Sequence, residues 1–147
     1  MKLKLPAAMS EAFAEAEAAA WRGEVPVGAV VVDKAGAVLA RAGNRTLELR
    51  DPTAHAEMLA IRAAAQVIGS ERLVDCDLHV TLEPCIMCAA AISFARIRRL
   101  YYAADDVKMG GARFFNESTC HHAPEVYSGI GEERSRLLLQ AFFRSRR

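Results

Sequence analysis

Two short stretches carry the groups best able to do chemistry: His55-Ala56-Glu57 and Pro84-Cys85-Ile86-Met87-Cys88. Two cysteines three residues apart at a helix start stand close together and near the positive end of the helix dipole. Both effects favour the deprotonated, metal-ligating thiolate. A redox pair of the thioredoxin kind is the rival reading of a Cys-x-x-Cys that stands alone. His55 supplies the difference, because one imidazole and two thiolates form a donor set suited to Zn²⁺. Three protein ligands leave a fourth tetrahedral position open to water, which marks a catalytic rather than a structural site. A closed structural site needs a fourth protein ligand. His79, Cys120, His121 and His122 are candidates by type, and no spacing demands any of them.

Glu57 turns metal binding into chemistry. An acidic residue in the first turn of a helix is also simply favoured by the dipole. Side chains at i and i+2 do not share a helix face, so Glu57 is not expected to ligate the ion together with His55. It is expected beside a water that the ion acidifies to a pKa of about 7, where a carboxylate acts as base and then as acid.

The elements that must position these residues follow from periodicity and breakers. Met9, Phe13, Ala16 and Ala20 recur at helical spacing, which predicts an amphipathic helix over 7–22. The β-branched run from Val25 to Val32, the turn Asp33-Lys34-Ala35-Gly36 and a strand from Ala37 to Ala42 predict a hairpin. Asp51-Pro52-Thr53 reads as a helix start, with a helix from about Ala54 to Ile68 closed by Gly69. Leu78 to Leu82 reads as a strand, Pro84 opens a helix to about Ala95, and Leu100 to Ala103 is another strand. Residues 104–124 read as irregular, Val126-Tyr127 as a short strand and 132–144 as a last helix. Strands and helices alternating after a hairpin predict an α/β fold. Its form is a three-layer α/β/α sandwich around a mixed sheet of about five strands. The strand end at Leu82 and the helix starts near Thr53 and Pro84 are where such folds place ligands.

A chain of 147 residues is expected to form a single domain over 1–147, with a core large enough to need no metal or disulfide merely to fold. The net charge is only +1, but its distribution is uneven. Residues 1–90 carry 9 Lys/Arg against 12 Asp/Glu, and residues 91–147 carry 10 against 6. Arginines bunch at 96, 98 and 99 and again at 144, 146 and 147, as in a solvated chain end or a phosphate-contacting edge. The start Met1-Lys2-Leu3-Lys4-Leu5-Pro6 has no apolar stretch behind it, so no export leader is expected. The longest apolar stretches are too short to span a bilayer. Four cysteines, two of them the close pair, suit metal chemistry in a reducing cytoplasm better than a disulfide framework.

His-x-Glu followed by Pro-Cys-x-x-Cys resembles the signature of the zinc nucleobase deaminases. The flanking stretches are similar to the bacterial tRNA-specific adenosine deaminases, which convert the anticodon wobble adenosine to inosine. They are Gly23 to Val30, Gly43-Asn44-Arg45, Asp51 to Glu57, Val80 to Cys88, Ala95-Arg96-Ile97, His121-His122 and Phe142-Phe143-Arg144. The resemblance covers nearly the whole chain and implies a cytidine-deaminase-like fold. It implies one zinc ion held by His55, Cys85 and Cys88, with Glu57 moving protons to the ring and to the departing ammonia. It further implies that the Ala56 amide and the Asn44 side chain hold the flipped base, with Val27 and Pro84 in the pocket wall. By the same token Asp106 faces the sugar-phosphate backbone, where it is expected to help sense the ribose 2′-OH. His122 is expected among the substrate-binding residues, and Phe143 and Arg144 against anticodon-loop nucleotides. Asn44 also suits a turn after a strand, and Phe142 and Phe143 suit a helix packed on a sheet. A homodimer is implied as well, and the helix Cys88-Ala89-Ala90-Ala91-Ile92-Ser93-Phe94 suits either that interface or burial within one subunit.

The chain departs from the family pattern at Ala103, where Gly is usual, and at His121-His122, where Asn-His is frequent. Its 106–112 segment reads as shorter than the usual Gly-rich loop. Two rivals share parts of the pattern. A free-base or nucleoside deaminase acting on guanine, cytosine or cytidine would keep all four zinc-site residues. A non-catalytic RNA-binding subunit with a structural zinc would have no use for Glu57.

Overall fold

Alternation along the strands decides which residues face which helices. A computed structural model describes residues 4–146. Residues 1–3, part of the charged start, and Arg147 of the basic tail lie outside the described residues. The elements run α1 (Ala7–Trp21), β1 (Gly28–Val32), β2 (Val38–Gly43), α2 (Ala56–Ile68), β3 (Asp77–Leu82), α3 (Ile86–Ala95), β4 (Arg99–Ala104), β5 (Glu125–Tyr127) and α4 (Glu132–Arg144). Strand order is β2-β1-β3-β4-β5. The pairs β1/β2 and β1/β3 are antiparallel, whereas β3/β4 and β4/β5 are parallel.

Successive side chains of a strand point to opposite faces. Ala29, Val31, Leu78, Val80, Leu100 and Tyr102 accordingly meet α2 and α3 through Ala56, Ala60, Ala64, Ala89 and Ile92. Val30, Val32 and Ala103 face the other way, against Met9, Ala12 and Phe13 of α1 and Leu138 of α4. The result is the expected three-layer sandwich on a mixed five-stranded sheet. Small residues set its tightness: a Cβ at Gly28 would run into the Ala12 carbonyl of α1. Ser135 of α4 donates from its hydroxyl to the Thr81 carbonyl, pinning the last helix to β3. None of the helices among the described residues is long and apolar enough to cross a membrane.

Element boundaries differ from the sequence expectation where side chains take over backbone work. Asp51-Pro52-Thr53 is not the helix start. Asp51 Oδ1 accepts the Thr53 amide at 2.8 Å and its hydroxyl at 2.7 Å, forming a turn that stops short of α2. Pro84 does not occupy the first helical turn either. Cys85, in extended conformation, caps α3, and Pro84 precedes it outside the helix. The strand expected from Val25 begins only at Gly28, because Pro26 has no N–H to give a ladder and Val27 N–H turns back to the Val25 carbonyl at 2.8 Å. Within the irregular 104–124 stretch, residues 112–116 form a short 3₁₀ turn.

The antiparallel setting of β1 against β3 brings the start of β1 and the end of β2 to the same sheet edge as the ends of β3 and β4. Every loop leaving that edge reaches one place.

Candidate active site

A cavity of about 320 Å³ opens at this edge, at the small end of ligand-binding pockets. Val25 and Val27 enter it from ahead of β1, Asn44 and Thr46 from after β2, and His55 and Glu57 from the start of α2. Leu82, Glu83 and Cys85 enter from the end of β3, and Asp106 and Met109 from after β4.

At its floor stand the ligand candidates. His55 caps α2 and Cys85 caps α3, both in extended conformation (φ −71°, ψ 152° and φ −70°, ψ 175°). The carbonyl of each accepts the first helical bond, from Leu59 N–H at 3.0 Å and Ala89 N–H at 2.8 Å, and neither side chain makes a capping bond to its own helix. Cys88 follows in the first turn of α3 and is fully buried. His55 Nδ1 lies 3.6 Å from both Cys85 Sγ and Cys88 Sγ, and all three ligand atoms are within 4.8 Å of one another. Tetrahedral zinc, with Zn–S near 2.3 Å and Zn–N near 2.05 Å, sets nitrogen and sulfur about 3.6 Å apart. The donor set and its spacing therefore fit the ion.

The electrostatics point the same way. Cys85, hydrogen-bonded to the Cys88 thiol and next to the His55 ring, is drawn down to about 4. Cys88, the partner of that bond and buried, is pushed up. His55 is raised, chiefly by its bond to Cys85. Two sulfurs sharing one proton beside an imidazole are a ready seat for a soft cation, which displaces such protons when it binds. Glu57 is 4% exposed, and burial pushes its carboxyl up to about 7 against the opposing pull of its own backbone amide and His55. A carboxylate so placed exchanges protons readily near neutral pH.

Of the residues expected around a substrate, Val27, Asn44 and Asp106 line the cavity. Ala56 is buried in the first turn of α2, where backbone N–H groups have no partner within the helix. Pro84 is buried, and its carbonyl accepts Gly111 N–H at 2.7 Å. His122 is not brought to the cavity: its Nε2 lies 2.9 Å from the Ile97 carbonyl and its amide donates to Ser93 Oγ at 3.0 Å, at the far end of α3. Phe143, 52% exposed, and Arg144 sit on the last turn of α4 outside the cavity lining. The next arginine, Arg146, stacks on Phe142 and reaches the backbone at Gly23, just ahead of the cavity wall at Val25. None of the other candidate fourth ligands joins the metal cluster among the described residues.

Residues 4–104 match the family model described as the cytidine and deoxycytidylate deaminase zinc-binding region. The chain belongs to this family. Among its members, a tRNA-specific adenosine deaminase of Agrobacterium fabrum is 59% identical over 143 residues, covering 95% of this chain and 93% of that one. A solved structure from work on A-to-I editing by tRNA:A34 deaminases at the wobble position is 60% identical with a TM-score of 0.87. It covers 90% of this chain and 98% of its own. A guanine deaminase from Bacillus subtilis is 32% identical with a TM-score of 0.65, over 93% of this chain and 92% of that one. The family's zinc-binding region contains His55, Cys85 and Cys88, the same three residues that the geometry selects.

Sequence reasoning marked the strand end at Leu82 as a place for a ligand, but did not assign Val25, Thr46 or Met109 to the cavity, nor any role to Glu24 and Glu83. For the two glutamates a signal existed: each is a lone acid beside an apolar strand, Glu24 before Val25-Pro26-Val27 and Glu83 after Val80-Thr81-Leu82. An acid in such a place is buried only with hydrogen-bond partners.

Proposed function

We propose that this chain deaminates adenosine to inosine at the wobble position of a tRNA anticodon. The observation that supports this substrate above all is the 59% identity, over nearly the full length of both chains, to a tRNA-specific adenosine deaminase. The guanine deaminase shares the fold at about half that identity.

Zinc held by His55, Cys85 and Cys88 supplies the Lewis acidity that makes water nucleophilic at neutral pH. Glu57, buried beside the ligands, takes a proton from the attacking water as oxygen bonds to C6 of the adenine. It delivers that proton to ring N1, then carries the remaining hydroxyl proton to the exocyclic nitrogen as the C6–N6 bond breaks. Water is consumed, ammonia leaves and inosine remains. The Asn44 side chain and the Ala56 amide hold the base by its polar edge, and Val25, Val27 and Leu82 give it an apolar wall. Asp106 stands at the rim, where the ribose and phosphate of a flipped nucleotide pass. Phe143 and Arg144 offer an aromatic face and a guanidinium to the neighbouring loop nucleotides. The setting is cytoplasmic and the active unit a homodimer: α3 turns Ile86 and Phe94 outward, 53% and 62% exposed, beyond the residues it buries on the sheet.

The test offers zinc-loaded protein an anticodon stem-loop with adenosine at the wobble position, and separately guanine, cytosine and cytidine. Inosine from the stem-loop with no ammonia from the small molecules is the expected result. Ammonia from a free base or nucleoside alone would overturn the tRNA assignment.

A further inference from the structure

Two carboxylates outside the metal motif hold the walls of the cavity. Glu24, between α1 and β1, is 2% exposed with both oxygens engaged: Oε1 accepts Leu47 N–H at 3.1 Å and Oε2 accepts Glu48 N–H at 2.8 Å. Those amides belong to the loop after β2, which presents Asn44 and Thr46 to the cavity. Arg22 ties down the same loop by donating to the Asn44 carbonyl at 3.1 Å. On the opposite wall Glu83 repeats the arrangement. Its Oε1 accepts Asp106 N–H at 3.0 Å and its Oε2 accepts Ala112 N–H at 3.1 Å, so one side chain closes both ends of the 106–112 loop. Gly110 packs so close that a Cβ there would collide with this carboxylate.

Neither glutamate takes part in an ion pair among the described residues. Each spends its acceptors on backbone amides that no strand or helix ladder satisfies. Charge-assisted bonds of this kind are stronger than neutral ones and fix a direction as well as a distance. They also span 23 and 24 residues of chain for Glu24, and 23 and 29 for Glu83. The loops have local bonds of their own, such as those from the Lys108 and Met109 amides to Asp106 Oδ1 and from Leu49 N–H to the Arg45 carbonyl. The two glutamates add the long-range bonds that seat each loop against the rest of the site.

We infer that Glu24 and Glu83 are positioning residues that each set one wall of the substrate cavity, Glu24 acting through Asn44 and Glu83 through Asp106. The inference rests on the deaminase reading of the cavity. Glutamine is the informative replacement. It keeps the shape but presents an NH₂ to one of the two amides, so one bond of each pair is lost.

Glu24→Gln and Glu83→Gln are compared in the zinc-loaded full chain by amide hydrogen exchange and by stem-loop kinetics. Exchange at Leu47 and Glu48 is expected to quicken about tenfold in E24Q, with Asp106 and Ala112 unaffected, and the reverse in E83Q. Each substitution is expected to raise KM about tenfold while kcat stays within about threefold and zinc remains bound. E24Q adds nothing further to Asn44→Ala but multiplies with Asp106→Asn, and E83Q does the opposite. Exchange rising across the whole sheet, or effects that multiply with both partners alike, would assign the glutamates a merely structural role and overturn the inference. Where a glutamine variant does not fold, the aspartate variant keeps both acceptors one methylene short and is held to the same locality. If the parent protein converts no adenosine, the substrate reading fails by itself, while the exchange arm still decides the clamps.

Discussion

The floor and the rim of the cavity are built by different means. At the floor, His55 and Cys85 are the caps of two helices, and Cys88 and Glu57 lie in the first turns. Helical hydrogen bonds and the packing of Ala56, Ala60, Ala89 and Ile92 on the sheet fix their places. At the rim, Asn44, Asp106 and Met109 stand on the loops that follow β2 and β4. They are held in part by distant carboxylates, in part by bonds such as Asn44 N–H to the Val27 carbonyl and Met109 N–H to Asp106 Oδ1, and by small residues that permit close approach. A floor on helix ends is rigid and suits one chemistry. A rim on loops is adjustable and suits the choice of substrate.

If that division holds, damage at the floor abolishes reaction and damage at the rim redistributes it. The largest effect is expected for Cys88→Ser, or for chelation of the parent. Turnover falls by roughly 10³-fold or more, bound zinc drops from about one per chain, and far-ultraviolet circular dichroism is preserved because the core suffices without the ion. Re-added zinc restores the chelated parent only. Next comes Asn44→Ala, expected to lower kcat/KM for the stem-loop by about 10- to 10²-fold with zinc content unchanged. Asp106→Asn is smaller again in rate, and its expected mark is a narrowed preference for RNA over the matching DNA stem-loop. An unchanged preference would remove Asp106 from sugar recognition. Smallest is Arg144→Ala at the end of α4. KM is expected to rise two- to threefold or so, with the salt dependence of binding weakened by about one unit of slope. A salt slope that does not move would take this helix end out of the RNA contact.

The same division separates what was legible in the sequence from what was not. Helical and strand periods located the nine α-helices and β-strands among the described residues and gave the layers. Ends moved by a single residue, as at α1, β2 and β4, and the larger shifts are at starts, where Asp51, Pro26 and Pro84 settle local backbone needs that periodicity does not register. The floor was legible because its residues are close in sequence to the helix starts that hold them. The rim was legible only through family resemblance, which put Asn44, Val27 and Asp106 at the substrate and named His122 among the substrate contacts. His122 is instead bonded to Ile97 and Ser93 at the opposite end of α3. For Glu24 and Glu83 the lone acid beside an apolar run hints at a buried carboxylate, but their partners lie more than twenty residues away, and no local pattern identifies a bond of that range.

The claim on which the account turns is that Glu57 moves protons beside a three-ligand zinc site. The most direct measurement is inosine formation in a wobble-adenosine stem-loop by Glu57→Ala beside the parent, with zinc and RNA binding measured on the same preparations. The account predicts that E57A binds both as the parent does and loses turnover by about 10²- to 10⁴-fold. Turnover retained within about threefold, with zinc and RNA bound, would contradict it.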